Sequence, residues 1–272
     1  MTETTRHRDF IATKEHRRFV EFAQAVRRHR YIGLCYGAAG VGKTLSARRL
    51  TGWDVVEPMI DEWQRIDINE PSYVTLERTR AIFHTPPVSC SFATLKSDLS
   101  RLIVRSEICI DEYLGRHEPG HQPQATKNHI DLMIIDEAER LSYSALEYVR
   151  DLYDRKGFGV ILIGMPGMEK RLSQYPQLYS RIGFAHTYRS LQGDELTFVL
   201  TRHWRRLGLA LDDADFTDNQ AIASIARITG GNFRLLQRLF VQISRILKIN
   251  GLTVITDEVV HAARSTLVIG AT

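Results

Sequence analysis

One stretch near the N-terminus, residues 31–44 with the sequence YIGLCYGAAGVGKT, limits what this chain can fold into more than any other. It reads as a short apolar strand, then a glycine-rich turn, then the start of a helix. Glycines in the turn allow backbone angles that other residues resist, so successive N–H groups can point at one anion. The helix that follows directs the positive end of its dipole to the same place. The stretch therefore predicts an anion site at a strand-to-helix turn.

The turn fits the phosphate-loop pattern G-x-x-x-x-G-K-[ST] without a mismatch. Lys43 is expected to reach the β- and γ-phosphates of a nucleotide, and the Thr44 hydroxyl is expected to bind Mg²⁺. A chance glycine turn is the alternative, and the flanking strand and helix argue against it. The residues predicted to bind the nucleotide are Gly37, Ala38, Ala39, Gly40, Val41, Gly42, Lys43, Thr44 and Leu45.

A second motif supplies what hydrolysis needs. The run DLMII at 131–135 is typical of a buried parallel strand, and Asp136 and Glu137 follow it directly. A carboxylate at the end of such a strand can reach the Mg²⁺ that Thr44 binds, and Glu137 can polarise the attacking water. An ordinary acidic helix cap is the alternative. We interpret Asp136, Glu137 and Lys43 as catalytic, with Thr44 and Asp136 as the metal ligands.

Strand and helix signals alternate up to about residue 190, after which only helical patterns remain. This order predicts an α/β three-layer fold with a central parallel sheet, residues 1–192, followed by a small helical subdomain, residues 193–272. Further strands are predicted at 81–84, 160–163 and 184–188. Residues 53–80 have a mixed period and are interpreted as partly irregular, with a polar segment at 67–80. The predicted helices are 13–30, 45–50, 92–113, 141–153, 193–207, 217–229, 232–249 and 256–265.

The charge distribution is mildly basic and uneven. The chain carries a net charge of +4, and residues 1–31, with eight Lys/Arg and four Asp/Glu, account for a charge of that size. Basic residues on the predicted helix at 13–30 indicate either a solvated face or a nucleic-acid contact.

Three scattered cysteines without a C-x-x-C pair favour free thiols in a reducing cytosol. We expect a cytoplasmic protein, because neither a signal region nor a membrane span is evident.

Residues 115–129, GRHEPGHQPQATKNH, have almost no apolar content and are predicted to form a mobile loop. Three histidines in it, His117, His121 and His129, suggest a metal site. Their spacings match no standard zinc pattern, and no cysteine is near. The metal interpretation is therefore disfavoured.

The chain resembles an AAA+ ATPase from about residue 13 to its C-terminus. The segments that carry this resemblance are, in chain order, GAAGVGKT, LMIIDEAERL, VILIGMPGMEKRL, YSRIGF and TGGNFRLLQRL. Their order matches the family's Walker A, Walker B, sensor 1, arginine-finger and sensor 2 regions. The resemblance implies that Arg181 reaches the γ-phosphate of a neighbouring subunit, with Arg171 as a weaker candidate, and that Arg234 acts as the sensor 2 arginine. A surface role for each arginine is the alternative.

One position departs from the family pattern. Sensor 1 normally presents a polar residue after the fourth strand, where this chain has Gly164, Met165 and Pro166. A thioether is at best a weak hydrogen-bond acceptor for the attacking water. Slow hydrolysis that serves as an ATP-dependent switch is the expected consequence.

Within AAA+ proteins the chain resembles the transposition ATPases of the MuB, IstB and TnsC/TniB types, through its size, its basic first helix and the phrase IIDEAERL. This resemblance implies homo-oligomers, rings or filaments, on double-stranded DNA. It also implies a transposase as partner, with a target-selection protein as a further candidate. By analogy the helix at 92–113 and the loop after it would face DNA, and the cations expected there are Lys96, Arg101, Arg105 and Lys127.

Two other functions remain open at this point. An ExeA-type ATPase of a secretion or assembly system resembles the same core, although such proteins usually carry a membrane span or a peptidoglycan-binding module. A non-catalytic scaffold that holds ATP as a structural ligand is the other possibility. Met165 is the only residue that favours the scaffold, and Glu137 argues against it.

Overall fold

The computed structural model describes residues 10–63, 67–117, 120, 128–212 and 214–267. Lys127, His121 and most of the predicted loop at 115–129 lie outside these residues. A short 3₁₀ turn spans Ala138–Arg140. The described elements in chain order are α1 (Lys14–His29), β1 (Ile32–Tyr36), α2 (Lys43–Thr51), α3 (Trp53–Glu62), α4 (Pro71–Thr79), β2 (Ala81–His84), α5 (Phe92–His117), β3 (Leu132–Ile135), α6 (Tyr143–Lys156), β4 (Gly159–Gly164), α7 (Met168–Leu172), α8 (Pro176–Tyr179), β5 (Ile182–Thr187), α9 (Asp194–Arg206), α10 (Phe216–Thr229), α11 (Phe233–Asn250) and α12 (Asp257–Ser265).

The described strands form one parallel sheet in the order β2-β3-β4-β1-β5, which confirms the predicted central sheet. Strands β3 and β4 are buried along their whole length, which explains their unbroken apolar sequences, because helices cover both faces of a parallel sheet. The carboxyl ends of parallel strands meet at one edge, where ligands bind in sheets of this kind. The phosphate loop follows β1 there, and Asp136 follows β3.

The prediction of a partly irregular segment at 53–80 is wrong, because α3 and α4 occupy most of it. In α3 the buried residues Trp53, Val56, Met59 and Ile60 recur at helical spacing. Pro58 lies inside this helix and obscures its period in the sequence. Helix α4 begins with Pro71, where a missing N–H costs nothing, and it buries only a narrow stripe.

The chain forms two compact units, which are described here one at a time. The first comprises the described residues of Met1–Arg17, Ala38–Gly42 and Arg189–Thr272. Its core is built from α9 to α12, with Trp204, Leu239 and Ile243 almost fully buried, and Ile11 joins this core. The N-terminal segment is fixed further because the backbone N–H of Arg189 donates to the Glu15 carboxylate at 3.1 Å.

The second unit comprises Arg18–Gly37 and Lys43–Tyr188 and contains the sheet. On one face Phe19 and Phe22 of α1 pack against the His186 and Tyr188 rings. The grouping of residues 10–17 and 38–42 with the C-terminal helices is a property of the fold that sequence order does not indicate. The predicted domain boundary, which separates residues 1–192 from residues 193–272, stays a prediction.

Candidate nucleotide site

The phosphate loop needs its glycines for two different reasons. Gly40 and Gly42 have φ angles of 80° and 113°, in the region that favours glycine. Gly37 is needed for space, because a Cβ there would lie 2.2 Å from the backbone oxygen of Tyr188. Helix α2 starts directly after the loop, and the N–H groups in the first turn of a helix are donors that anions bind.

Lys43 is the first residue of α2, and only 8% of its surface is exposed. Its Nζ atom donates a 2.6 Å hydrogen bond to the backbone oxygen of Gly37, so the ammonium is folded onto the start of the loop. Burial lowers the pKa of Lys43, and the nearby Asp136 carboxylate opposes this effect. An ammonium in such a place favours an anionic ligand that restores its charged form.

Thr44 and Asp136 are brought together as the sequence predicts. The Thr44 hydroxyl donates to Oδ2 of Asp136 at 2.6 Å, and the backbone N–H of Glu137 donates to Oδ1 at 2.9 Å. Asp136 is 3% exposed, and this burial raises its pKa, although the two hydrogen bonds oppose the rise. A hydroxyl and a carboxylate are the hard oxygen donors that suit Mg²⁺, which usually takes few protein ligands and keeps several waters. The pair therefore fits the ion.

Glu137 has a left-handed backbone with φ of 48°, which is uncommon for a residue with a side chain. Strain of this kind concentrates at functional sites. Its carboxylate is half-buried and lies 3.9 Å from the guanidinium of Arg140, too far for a strong pair. Glu137 follows β3 at the carboxyl edge of the sheet, and the activation of water by its carboxylate stays a prediction.

The end of β4 holds a feature that sequence reasoning missed. Where sensor 1 is expected, Oε2 of Glu139 lies 2.9 Å from the place that a Cβ of Gly164 would occupy. This oxygen is buried and has no hydrogen-bond partner among the described residues. Burial, together with the neighbouring Glu137, raises the pKa of Glu139. The sequence did offer one signal. Gly164 has no side chain, and a glycine at the end of a strand leaves room for a side chain from a neighbouring segment.

The two arginine-finger candidates are both engaged within the chain. Arg181 forms a bidentate pair with Asp154, with Nε–Oδ1 and Nη2–Oδ2 distances of 2.7 and 2.9 Å, and this pairing lowers the pKa of Asp154. Arg171 donates to the backbone oxygens of Glu139, at 2.6 Å, and Leu141. Arg171 thus stabilises the segment after β3. A role for Arg181 toward a neighbouring subunit stays a prediction.

In the first unit, the loop residues contact the start of α11. The Asn232 amide donates to the oxygen of Ala39 at 2.7 Å, and the backbone N–H of Arg234 donates to the oxygen of Gly40 at 3.0 Å. A Cβ on Gly40 would lie 2.9 Å from Cβ of Arg234. Arg234 therefore lies beside the loop, as a sensor 2 residue would, and its side chain is exposed.

The cations predicted to bind DNA differ in whether their side chains already have partners within the chain. Lys96 is exposed. Arg101 pairs with Asp98 at 3.2 Å. Arg105 donates to the oxygen of Ile60 at 2.6 Å and lies 4.8 Å from the ring centroid of Trp63, so it mainly holds α5 to α3. Lys127 lies outside the described residues. The DNA role of this group stays a prediction.

Among the described residues, no group of three or more His, Cys, Asp or Glu could hold a metal ion. His121 and the side chain of His117 lie outside them. Nε2 of His129 lies 3.2 Å from Oδ1 of Asp111. Within the described residues, no helix is both long and apolar enough to cross a bilayer.

A parallel sheet with a phosphate loop after β1, a hydroxyl–carboxylate pair for Mg²⁺ and a glutamate beside it defines a P-loop ATPase. Its particular family follows from comparison with known proteins. The chain belongs to the AAA domain family, whose sequence profile matches residues 26–172. It is an AAA+ ATPase, and its site takes ATP and Mg²⁺.

Two relatives are similar to the chain over most of its length. A protein of Staphylococcus aureus described as a potential ATP-binding protein is 44% identical over 271 residues, which cover 98% of this chain and 99% of the relative. The Mu-like prophage FluMu DNA transposition protein B of Haemophilus influenzae is 25% identical over 248 residues, which cover 85% of this chain and 71% of that protein.

Solved structures show the same fold at low sequence identity. RuvB of Thermotoga maritima, a Holliday junction branch migration motor, matches with a TM-score of 0.58 and 17% identity, over 93% of this chain and 69% of that one. The ADP form of the ORC2 protein of Aeropyrum pernix matches with a TM-score of 0.51 and 16% identity, over 90% and 66%. These likenesses support the AAA+ fold.

Proposed function

We propose that this chain is an ATP-dependent regulator of DNA transposition that oligomerises on double-stranded DNA and recruits or activates a transposase at the target site. The observation that carries the ATP-dependent part is the contact of Thr44 with Asp136, beside Glu137. The transposition part is supported by the similarity to a DNA transposition protein B over 85% of the chain.

The residues of the site suggest how each would act in hydrolysis. Lys43 and the backbone N–H groups of the loop would stabilise the negative charge of the β- and γ-phosphates. Glu137 would accept a proton from the water that attacks the γ-phosphorus, while the bond to the β–γ bridging oxygen breaks and ADP leaves. When bound by Thr44 and Asp136, Mg²⁺ supplies positive charge to the phosphate oxygens.

Slow, assembly-dependent turnover is part of the proposal. Met165 offers no useful hydrogen bond to water, and it follows Gly164 at the end of β4. Arg181 would complete the site from a neighbouring subunit, after exchanging Asp154 for a γ-phosphate. ATP would then favour the oligomer on DNA, and hydrolysis would release it.

The proposal is tested by duplex DNA binding with and without a slowly hydrolysed ATP analogue, measured by fluorescence anisotropy over a range of salt concentrations. We expect affinity that needs the analogue and falls steeply with salt, since phosphate contacts dominate such binding. The Lys43→Ala variant should lose the response to the analogue, whereas Lys170→Ala, at an exposed lysine outside the site, should keep it. Absent or salt-insensitive DNA binding would contradict the proposal and favour an assembly ATPase of the ExeA type.

A further inference from the structure

Helix α11 carries a strip of cations along its exposed side. The helix contains no Asp or Glu in its sequence FRLLQRLFVQISRILKIN. Its apolar face is buried in the core of the first unit, while the opposite side is exposed. The exposed side also includes Gln237, Ser244, Ile249 and Asn250. We call one strip of it the α11 basic face, and the members of this strip are Arg234, Arg238, Val241, Arg245 and Lys248.

The α11 basic face is narrow and continuous. At 100° per residue, Arg238, Arg245 and Lys248 fall within a sector of roughly 80°. With a rise of 1.5 Å per residue they extend over about 15 Å of the helix axis. Arg245 and Lys248 are three positions apart, where two like charges repel. The arrangement therefore adds nothing to the stability of the isolated helix.

These cations have no partners in the part of the chain that the structure describes. The side chains of Arg238, Arg245 and Lys248 make no hydrogen bond or ion pair there. By contrast, Arg101 and Arg181 each pair with a carboxylate. Unpaired guanidinium and ammonium groups along one line can each neutralise a phosphate without first breaking an internal contact.

We infer that the α11 basic face binds the phosphate backbone of double-stranded DNA. This inference rests on the proposed function, and it gives the protein a second DNA-contact surface in addition to α5. Contacts of cations with phosphates position a protein on the duplex and carry no sequence information, which suits a protein that assembles along DNA. A membrane surface is disfavoured, because a helix that lies on a bilayer presents a large apolar face to it. Here that face is buried, and Val241 and Ile249 are the large apolar side chains left exposed on the helix.

The test is the salt dependence of duplex binding by the full-length triple variant Arg238→Gln/Arg245→Gln/Lys248→Gln, in the presence of the ATP analogue. Arg234 is left intact because it lies beside the phosphate loop. The matched control is Arg202→Gln/Arg205→Gln/Arg264→Gln, which removes the same charge from exposed positions elsewhere in the first unit. The variant Arg238→Lys/Arg245→Lys keeps the charge on the face.

The triple variant should bind duplex DNA at least about tenfold more weakly at low salt. The plot of log affinity against log salt concentration should become shallower for this variant. The magnitude of its slope should decrease by up to about 2.7, since each phosphate contact contributes ~0.9. The control and the lysine variant should keep slopes close to that of the wild type, and all variants should bind ATP as the wild type does.

Equal slopes for the triple variant and the wild type would overturn this inference while leaving the proposed function intact. A triple variant that fails to assemble with the analogue when no DNA is present would also overturn it, and would make the face a contact between subunits. A wild-type chain that does not bind DNA would contradict the proposed function as well.

Discussion

The side-chain amide of Asn232 donates a 2.7 Å hydrogen bond to the backbone oxygen of Ala39 in the phosphate loop. Oδ1 of the same side chain accepts from the N–H groups of Arg234 and Leu235 and so caps α11. One residue therefore both begins the helix and holds the loop. These two roles can be separated, because a serine also caps a helix but lacks the amide.

We predict that Asn232→Ser and Asn232→Ala weaken ATP binding to the same extent, by roughly 2- to 10-fold, the worth of one hydrogen bond. Both variants lose the hydrogen bond to Ala39, and the alanine variant should lower the free energy of unfolding by about 1 kcal/mol more than the serine variant, because it also loses the cap. Calorimetric titration and denaturant unfolding measure the two effects. Normal ATP affinity in the serine variant would show that the contact with Ala39 does not shape the loop.

Replacing Glu137 with Gln should leave ATP binding intact and lower kcat for hydrolysis by roughly 10²- to 10⁴-fold, the usual contribution of a general base. The variant should then remain in the ATP-bound oligomer. Phosphate release assays and size-exclusion chromatography follow the two effects, with Glu147→Gln on α6 as the control. Normal turnover in Glu137→Gln would assign water activation to another residue.

The trans role of Arg181 can be tested by mixing two inactive variants. Lys43→Ala retains Arg181 but should not bind ATP, and Arg181→Ala should bind ATP without receiving an arginine from its neighbour. If Arg181 acts across the interface, the mixture should recover part of the ATPase activity, because some interfaces combine both intact residues. A mixture that stays as inactive as its components would confine Arg181 to its pair with Asp154.

Burial raises the pKa of Asp136 above its unfolded value, which is about 3.9. The ionised carboxylate therefore costs stability at neutral pH, and this cost disappears as the pH falls below the unfolded pKa. Without nucleotide, Asp136→Asn should melt at a higher temperature than the wild type near neutral pH. An asparagine can still accept from the N–H of Glu137 and donate to the hydroxyl of Thr44.

The difference in Tm should shrink as the pH falls toward the unfolded pKa and vanish well below about 3.9, where the carboxylate is protonated in both states. With Mg²⁺ and ATP the order should reverse, since ligand binding stabilises the wild type and the variant has lost a metal ligand. Differential scanning fluorimetry across this pH range checks both statements. A wild-type chain that is already the more stable without nucleotide would contradict the account of Asp136.

The elements that local sequence specifies could be predicted, and they include the strand, turn and helix that carry the phosphate-loop motif. The unbroken apolar runs of β1, β3 and β4 identify buried parallel strands, and glycine spacing identifies the turn after β1. Contact between Thr44 and Asp136 follows because parallel strands end at one edge of the sheet. The helices α10 and α11 begin and end close to their predicted positions because caps and glycines mark them.

What could not be predicted depends on contacts between distant parts of the chain. The pair of Asn232 and Ala39 joins positions 193 residues apart. The approach of Glu139 to Gly164 depends on the packing between neighbouring strands. The sequence likewise does not show that Arg105 contacts Ile60 and Trp63. From sequence alone, an arginine on a helix is taken to be an unpaired cation. Pattern and spacing carry no information about which cations already have partners.

The most direct test of the central claim, that ATP bound between subunits governs assembly on DNA, is electron microscopy of the purified protein with duplex DNA, with and without a slowly hydrolysed ATP analogue. The account predicts rings or filaments along the duplex only when the analogue is present, and none with Lys43→Ala. Single subunits that occupy DNA to the same extent with and without the analogue would contradict it.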